Sequence, residues 1–260
     1  MTESAIKSSL ENKVALITGA GQGIGQGIAF ALAKRGAKIA ALGRTLAKCE
    51  ETCKIIQQRF GTETIALGGD VSQLDGLKST VESVVEALGP VDILVNNAVS
   101  TSRGPLLSQK DEHVLHAFTV GPLATLKLMQ LCHPHMVSRG GGSIINLASS
   151  AAKRWDMSGY GVYAAEKEAI RTLTRTAASE WGKDNIRANC ILPHAKSPAL
   201  KAWTEQNPQE AAAFVRSIPL QRIGECEEDI GEFVAMLCSD EAAYVSGQSI
   251  AVDGGQAYMG

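Results

Sequence analysis

Tyr163-Ala164-Ala165-Glu166-Lys167 sets a phenol and an ammonium four residues apart. On a helix such residues stand one above the other on a single face. The stretch from Ser158 to Gly182 predicts that helix, being rich in small residues and poor in helix breakers. A cation beside a phenol favours the phenolate, so the pair can give and retrieve a proton. The same spacing also marks many solvated helix faces, so its meaning depends on what the rest of the chain builds around it.

The elements that must hold such a pair begin with Lys13-Val14-Ala15-Leu16-Ile17-Thr18, a short apolar run of the buried parallel-strand kind. Glycines follow at 19, 21, 23 and 25, and a helical stretch from Ile24 to Arg35 closes at Gly36. Strand, glycine turn and helix form the start of a nucleotide site, where backbone N–H groups and a helix N-terminus can face a pyrophosphate. The string Thr18-Gly19-Ala20-Gly21-Gln22-Gly23-Ile24-Gly25 reads T-G-x-x-x-G-x-G, and no register of it fits G-x-G-x-x-G. A purely structural turn is the competing reading. Lys38 to Leu42 is the next strand, ending in Gly43-Arg44 where an NAD site usually has an acid for the ribose 2′-hydroxyl. A guanidinium there suits a 2′-phosphate, so NADP(H) is favoured over NAD(H), against the reading of Arg44 as a solvated residue at a helix start.

The alternation continues with helix Leu46 to Arg59, strand Thr64 to Leu67 and Asp70-Val71 at its exit. Asp70 can meet an adenine amino group or cap a helix beginning near Gln73. Val91 to Val95 runs into Asn96-Asn97-Ala98. Asp111 to Ser138 is helical but interrupted at Gly121-Pro122, and Gly142 to Leu147 leads into Ser149-Ser150. Ile186 to Leu192 precedes a long excursion from Pro193 to Pro219, followed by helix Glu227 to Leu237 and strand Gln248 to Val252. Regular alternation without repeats or linkers predicts one domain over 1–260. Its expected fold class is α/β, a Rossmann-like doubly wound parallel sheet of about seven strands, with helices on both faces and ligands at the strand carboxyl ends.

Bulk properties agree with an ordinary globular chain of 260 residues, 45% hydrophobic and 20% charged. A net charge of −2 gives no electrostatic reason to expect nucleic acid or an anionic membrane as partner. Six cysteines without a CxxC pair read as reduced structural thiols, and no metal site is expected. Met1 to Lys13 lacks a signal-peptide core, no consecutive apolar run is long enough to span a bilayer, and Tyr258-Met259-Gly260 matches no targeting tail, so the expected location is cytoplasmic.

Thr18 to Gly25, Asp70-Val71, Asn96-Asn97-Ala98, Ser150, Tyr163 with Lys167, Pro193, Pro219-Leu220-x-Arg222-Ile223-Gly224 and Asp253-Gly254-Gly255 stand in one order along nearly the whole chain. In that order the sequence resembles the short-chain dehydrogenase/reductase family, and its 3-oxoacyl-carrier-protein reductases in particular. The resemblance implies that Tyr163 is the general acid/base, that Lys167 supports it and binds the nicotinamide ribose, and that Ser150 hydrogen-bonds the substrate oxygen. It implies a cofactor site of Gly19, Gly21, Gln22, Gly23, Ile24, Gly25, Arg44, Asp70, Val71, Asn97, Ala98 and Pro193, besides Tyr163 and Lys167. The implied activity is NAD(P)(H)-dependent hydride transfer between nicotinamide and a small-molecule carbonyl or secondary alcohol. A homo-oligomer, tetramer or dimer, is implied as well.

Some positions depart from the family pattern. Phe118 stands where many members have an asparagine that serves a proton relay, and Val99 replaces a glycine. His194 follows Pro193, and Pro198 falls where a threonine is common, with Ser197 able to supply a hydroxyl. Tyr160 lacks a lysine four residues on and reads as a pocket wall; His194 reads as a loop residue, and His133-Pro134-His135 as helix-end polar residues. Residues 194–218, with Trp203 and Phe214, are the expected substrate lid. Two alternatives to a carbonyl reductase stay open: an enoyl-thioester reductase on the same fold, motivated by Phe118, and a non-catalytic nucleotide-binding protein.

Overall fold

The computed structural model describes residues 9–100, 103–150, 153 and 159–257. Among them the short apolar runs become β1 (Val14–Thr18), β2 (Lys38–Gly43), β3 (Thr64–Gly68), β4 (Ile93–Asn96), β5 (Gly142–Leu147), β6 (Ile186–Pro193) and β7 (Ser249–Val252). They form one parallel sheet in the order β3-β2-β1-β4-β5-β6-β7. Successive strand residues serve opposite faces, as a period of two requires. Ala15 and Ile17 enter one core layer, and Val14 and Leu16 the other.

The first layer is closed by α1 (Gly23–Lys34), α2 (Leu46–Phe60) and the Cys226–Cys238 segment. Its α1 crossing is close: a Cβ on Gly27 would come within 2.3 Å of the Cys226 carbonyl carbon. The second layer is closed by α3 (Leu77–Leu88) and, beyond α4 (Asp111–Phe118), which adds no residue to it, by α5 (Ala124–Ser138) and α6 (Gly161–Trp181). By length and composition Asp111–Ser138 can cross a membrane, but here its Ala124, Leu128, Met129, Cys132 and Met136 are buried, most of them against the sheet.

The interruption expected at Gly121-Pro122 takes a specific form. The helix does not end but widens into a π turn over Thr119–Leu123, which absorbs the proline's missing N–H. Pro134 lies inside α5 and His135 in its last turn, so the His133–His135 stretch sits near the helix end, as expected. The His133 ring packs 4.8 Å from that of Trp181, and its Nε2 lies 3.3 Å from Asp184 Oδ2. The helix expected near Gln73 begins as a tight turn at Leu74–Gly76 before α3.

A chain of buried side chains fixes the rotation of α6. Asn96 Nδ2 donates to Asn146 Oδ1 at 2.8 Å, Asn146 Nδ2 donates to Thr174 Oγ1 at 2.8 Å, and Thr174 donates to the Ile170 carbonyl. With Thr174 held against β4 and β5, the helix directs Tyr163 and Lys167 toward the strand carboxyl ends.

Candidate active site

Strand order reverses between β1 and β4, and there the two strand ends part to open a crevice. Thr18 and Asn97 join its walls. Thr18 Oγ1 accepts from the Asn97 and Ala98 N–H groups, each at 2.9 Å, while Asn97 Nδ2 donates to the carbonyls of Thr18 (2.8 Å) and Gly19 (3.2 Å). Gly25 lies beneath this clamp, where a Cβ would sit 2.4 Å from the Gly19 oxygen. That position is closed to any side chain.

The crevice has a volume of about 520 Å³. Of the residues expected to hold a dinucleotide, Gly19, Gly21, Gln22, Gly23, Ile24, Arg44, Asp70, Val71, Asn97, Ala98 and Tyr163 line it. Gly25, Lys167, Ser150 and Pro193 do not. Gly25 is buried under the turn, and Pro193 ends β6, paired with Val252. Size, a glycine turn at the head of α1 and a cation at the β2 end all fit an elongated, phosphate-bearing ligand. Arg44 is exposed and makes no hydrogen bond or ion pair among the described residues. Asp70 does double duty, lining the crevice while Oδ1 accepts from the Ser72 N–H at 2.9 Å. Burial raises its pKa, but the Ser72 hydrogen bonds and the Arg44 and His116 charges outweigh that and leave the carboxyl below its ordinary range.

At the other end Tyr163 faces the crevice. Lys167 is buried, donates to the Leu147 carbonyl at 3.2 Å, and holds its Nζ 5.5 Å from the Tyr163 ring centroid. Leu147 is the last residue of β5, so the strand that leads to Ser150 also anchors the lysine. Ser150 lies half-buried in the turn three residues on. Phe118 does not line the crevice, although His116 and Val120 on either side of it do. Val99 lines it in place of a smaller residue.

Other lining residues carried no signal singled out in the sequence. Lys48 donates to Gln22 Oε1 at 2.6 Å, closing the glycine turn from α2; its place in the first turn of the helix that follows Gly43-Arg44 was the available clue. Arg103 lines the crevice and stacks 4.7 Å over the Tyr160 ring, which in turn meets Tyr163 edge-on at 6.2 Å.

The excursion after Pro193 is helical, with α7 (Pro198–Gln206) and α8 (Pro208–Ser217). Both start on a proline, which suits the first helical turn. Ser197 caps α7 by accepting from the Leu200 N–H, and Ser197, Pro198 and Ala199 line the crevice beside the glycine turn. Trp203 and Phe214 meet edge-on at 5.8 Å, and Phe214 meets the His194 ring at 5.2 Å. His194 lines a separate cavity of about 590 Å³ between β7 and Pro219-Leu220. Burial holds its pKa below the usual histidine value.

The model of the Enoyl-(Acyl carrier protein) reductase family matches residues 19–257. The chain is 36% identical over 252 residues to the 12alpha-hydroxysteroid dehydrogenase of a Clostridium species, covering 94% of this chain and 96% of that one. Among solved structures, L-sorbose reductase from Gluconobacter frateurii, complexed with NADPH and L-sorbose, is 32% identical with a TM-score of 0.88, covering 97% and 99%. A 7 alpha-hydroxysteroid dehydrogenase complexed with NADH and 7-oxo glycochenodeoxycholic acid is also 32% identical, with a TM-score of 0.91 and coverage of 100% and 99%.

Proposed function

The chain belongs to the short-chain dehydrogenase/reductase family, and from that premise we propose that Tyr163 is its general acid/base, supported by Lys167 and Ser150. It is an NAD(P)(H)-dependent oxidoreductase that moves hydride between a nicotinamide and a carbonyl or secondary alcohol. The observation that carries the proposal is Tyr163 lining the crevice with the Lys167 ammonium, held by the Leu147 carbonyl, 5.5 Å from its ring.

The glycine turn and α1 N-terminus would hold the pyrophosphate, Arg44 the 2′ substituent, and Lys167 the nicotinamide ribose. Bound nicotinamide supplies or accepts the hydride. In the reducing direction negative charge grows on the carbonyl oxygen, and Ser150 and Tyr163 donate hydrogen bonds to it. Tyr163 then passes its proton to that oxygen, and the Lys167 charge steadies the phenolate left behind. Acid–base help of this kind contributes about 10²–10⁴-fold. Tyr163→Phe should therefore lose ketone reduction by about that factor and still bind NADPH with unchanged fluorescence. Unaltered turnover would take Tyr163 out of the mechanism.

We read the cofactor as NADP(H), supported by the unengaged Arg44 guanidinium at the β2 end. The α7–α8 segment is proposed as the substrate lid, supported by Ser197, Pro198 and Ala199 lining the crevice and by the Trp203–Phe214–His194 contacts behind them. A homo-oligomer is supported by exposed Leu106, Leu107 and Leu115 in and before α4; a monomer mass by light scattering would end that reading. The description of the matched family model keeps enoyl-thioester reduction as the second reading. NADPH oxidation with a ketone panel of hydroxysteroid and ketose type, set against enoyl thioesters, separates the two.

A further inference from the structure

Glu166 stands between the two residues just described as acid/base and support, and its carboxyl is completely buried. No hydrogen-bond donor among the described residues reaches either of its oxygens. A buried carboxylate without donors is costly, so such a group is either neutral or held by a nearby charge. The charge is Lys167, whose Nζ lies 3.8 Å from Glu166 Oε1. Oε2 faces the π turn, where a methyl on Gly121 would already come within 3.3 Å. The π turn, Thr119–Leu123, contributes no titratable side chain. On α6 the titratable neighbours are Tyr163 and Lys167, and His116 of α4 lines the crevice near Asp70. Burial pushes the Glu166 carboxyl up to about 7, with Lys167 opposing the rise.

We propose that Glu166 is a titrating counter-ion to Lys167, a positioning residue that sets how strongly the lysine charge draws the proton off Tyr163. The inference rests on Tyr163 being the acid/base. With Glu166 neutral, the Lys167 field acts on the phenol undiminished and phenolate is favoured. With Glu166 ionised, part of that field is cancelled and the phenol keeps its proton to higher pH. Reduction, which needs the phenol proton, is thereby sustained on the alkaline side, and oxidation, which needs phenolate, is delayed.

The test is the pH dependence of kcat/KM for ketone reduction and for alcohol oxidation in wild type, Glu166→Gln, Glu166→Ala, Glu166→Asp and Tyr163→Phe. In the Gln and Ala variants the alkaline fall of reduction and the rise of oxidation should move together to lower pH by about one unit, with Asp restoring much of the wild-type position. Lower activity with unmoved limbs in both neutral variants would reduce Glu166 to a packing residue and overturn the proposal, as would a shift to higher pH. Turnover surviving in Tyr163→Phe sinks the acid/base reading itself; an inactive Tyr163→Phe with unmoved Glu166 limbs sinks this inference alone. If neither neutral variant folds, the infrared carbonyl band of a protonated carboxyl in the wild-type enzyme decides. That band should fade with a midpoint near the value of about 7, and its absence at mildly acid pH overturns the proposal.

Discussion

Thr18→Val preserves the outline of a side chain buried at the end of β1 and removes one atom, Oγ1. That oxygen is the acceptor for the Asn97 and Ala98 N–H groups at 2.9 Å each. In the variant both amides face a methyl group. Each buried donor left without an acceptor costs about 1–3 kcal/mol, and the new methyl returns about 1 kcal/mol through apolar burial. The net loss comes to about 1–5 kcal/mol. At roughly 2 °C per kcal/mol for a chain of this size, the thermal midpoint should fall by about 2–10 °C. Thr18→Ser keeps the oxygen and should lose only about 1 kcal/mol. Urea unfolding followed by circular dichroism reads the difference, and NADPH titration reads its effect on the crevice, whose β4 wall depends on the same two bonds. A Thr18→Val midpoint equal to wild type, or a Ser variant as unstable as the Val variant, would refute the clamp.

Arg44→Ala should raise the KM for NADPH about ten-fold and leave NADH nearly unchanged, because a charge-assisted contact from an exposed guanidinium is worth roughly 1–2 kcal/mol. Equal effects on both cofactors would remove Arg44 as the 2′-phosphate contact. Glu166 also predicts a stability trend. Its folded pKa of about 7 lies above the ordinary 4.5, so the folded state binds the extra proton between those values. Stability from this group is full below the lower value and lost as pH rises through the upper one, by about 3 kcal/mol in total. Wild type should therefore weaken relative to Glu166→Gln across that window in urea unfolding, and a constant difference would refute the buried acid.

Much of the fold was legible because it rests on local signals. Val14–Thr18 is apolar on both faces, the glycines after it allow a tight turn, and Tyr163 and Lys167 are in phase on any helix. Proline also marked events correctly while hiding their form. Pro122 signalled an interruption that proved to be a widened turn, Pro134 was absorbed within α5, and Pro198 and Pro208 began helices in a segment expected to be a lid loop. Their outcome depends on neighbours far along the chain.

The amino-acid sequence by itself determined the succession of strands and helices, the glycine turn, and the kind of chemistry a phenol and an ammonium can do, since each follows from residues within a few positions of one another. Tertiary structure decided which side chains meet. Glu166 would be solvated on an isolated helix, yet it is sealed against Gly121, and Lys48 reaches back to Gln22 across 26 residues. Arg103 finds Tyr160 in the same way. The rotation of α6 and the approach of α2 to the turn are set by contacts between distant segments, such as Asn146 with Thr174, and no local pattern encodes them.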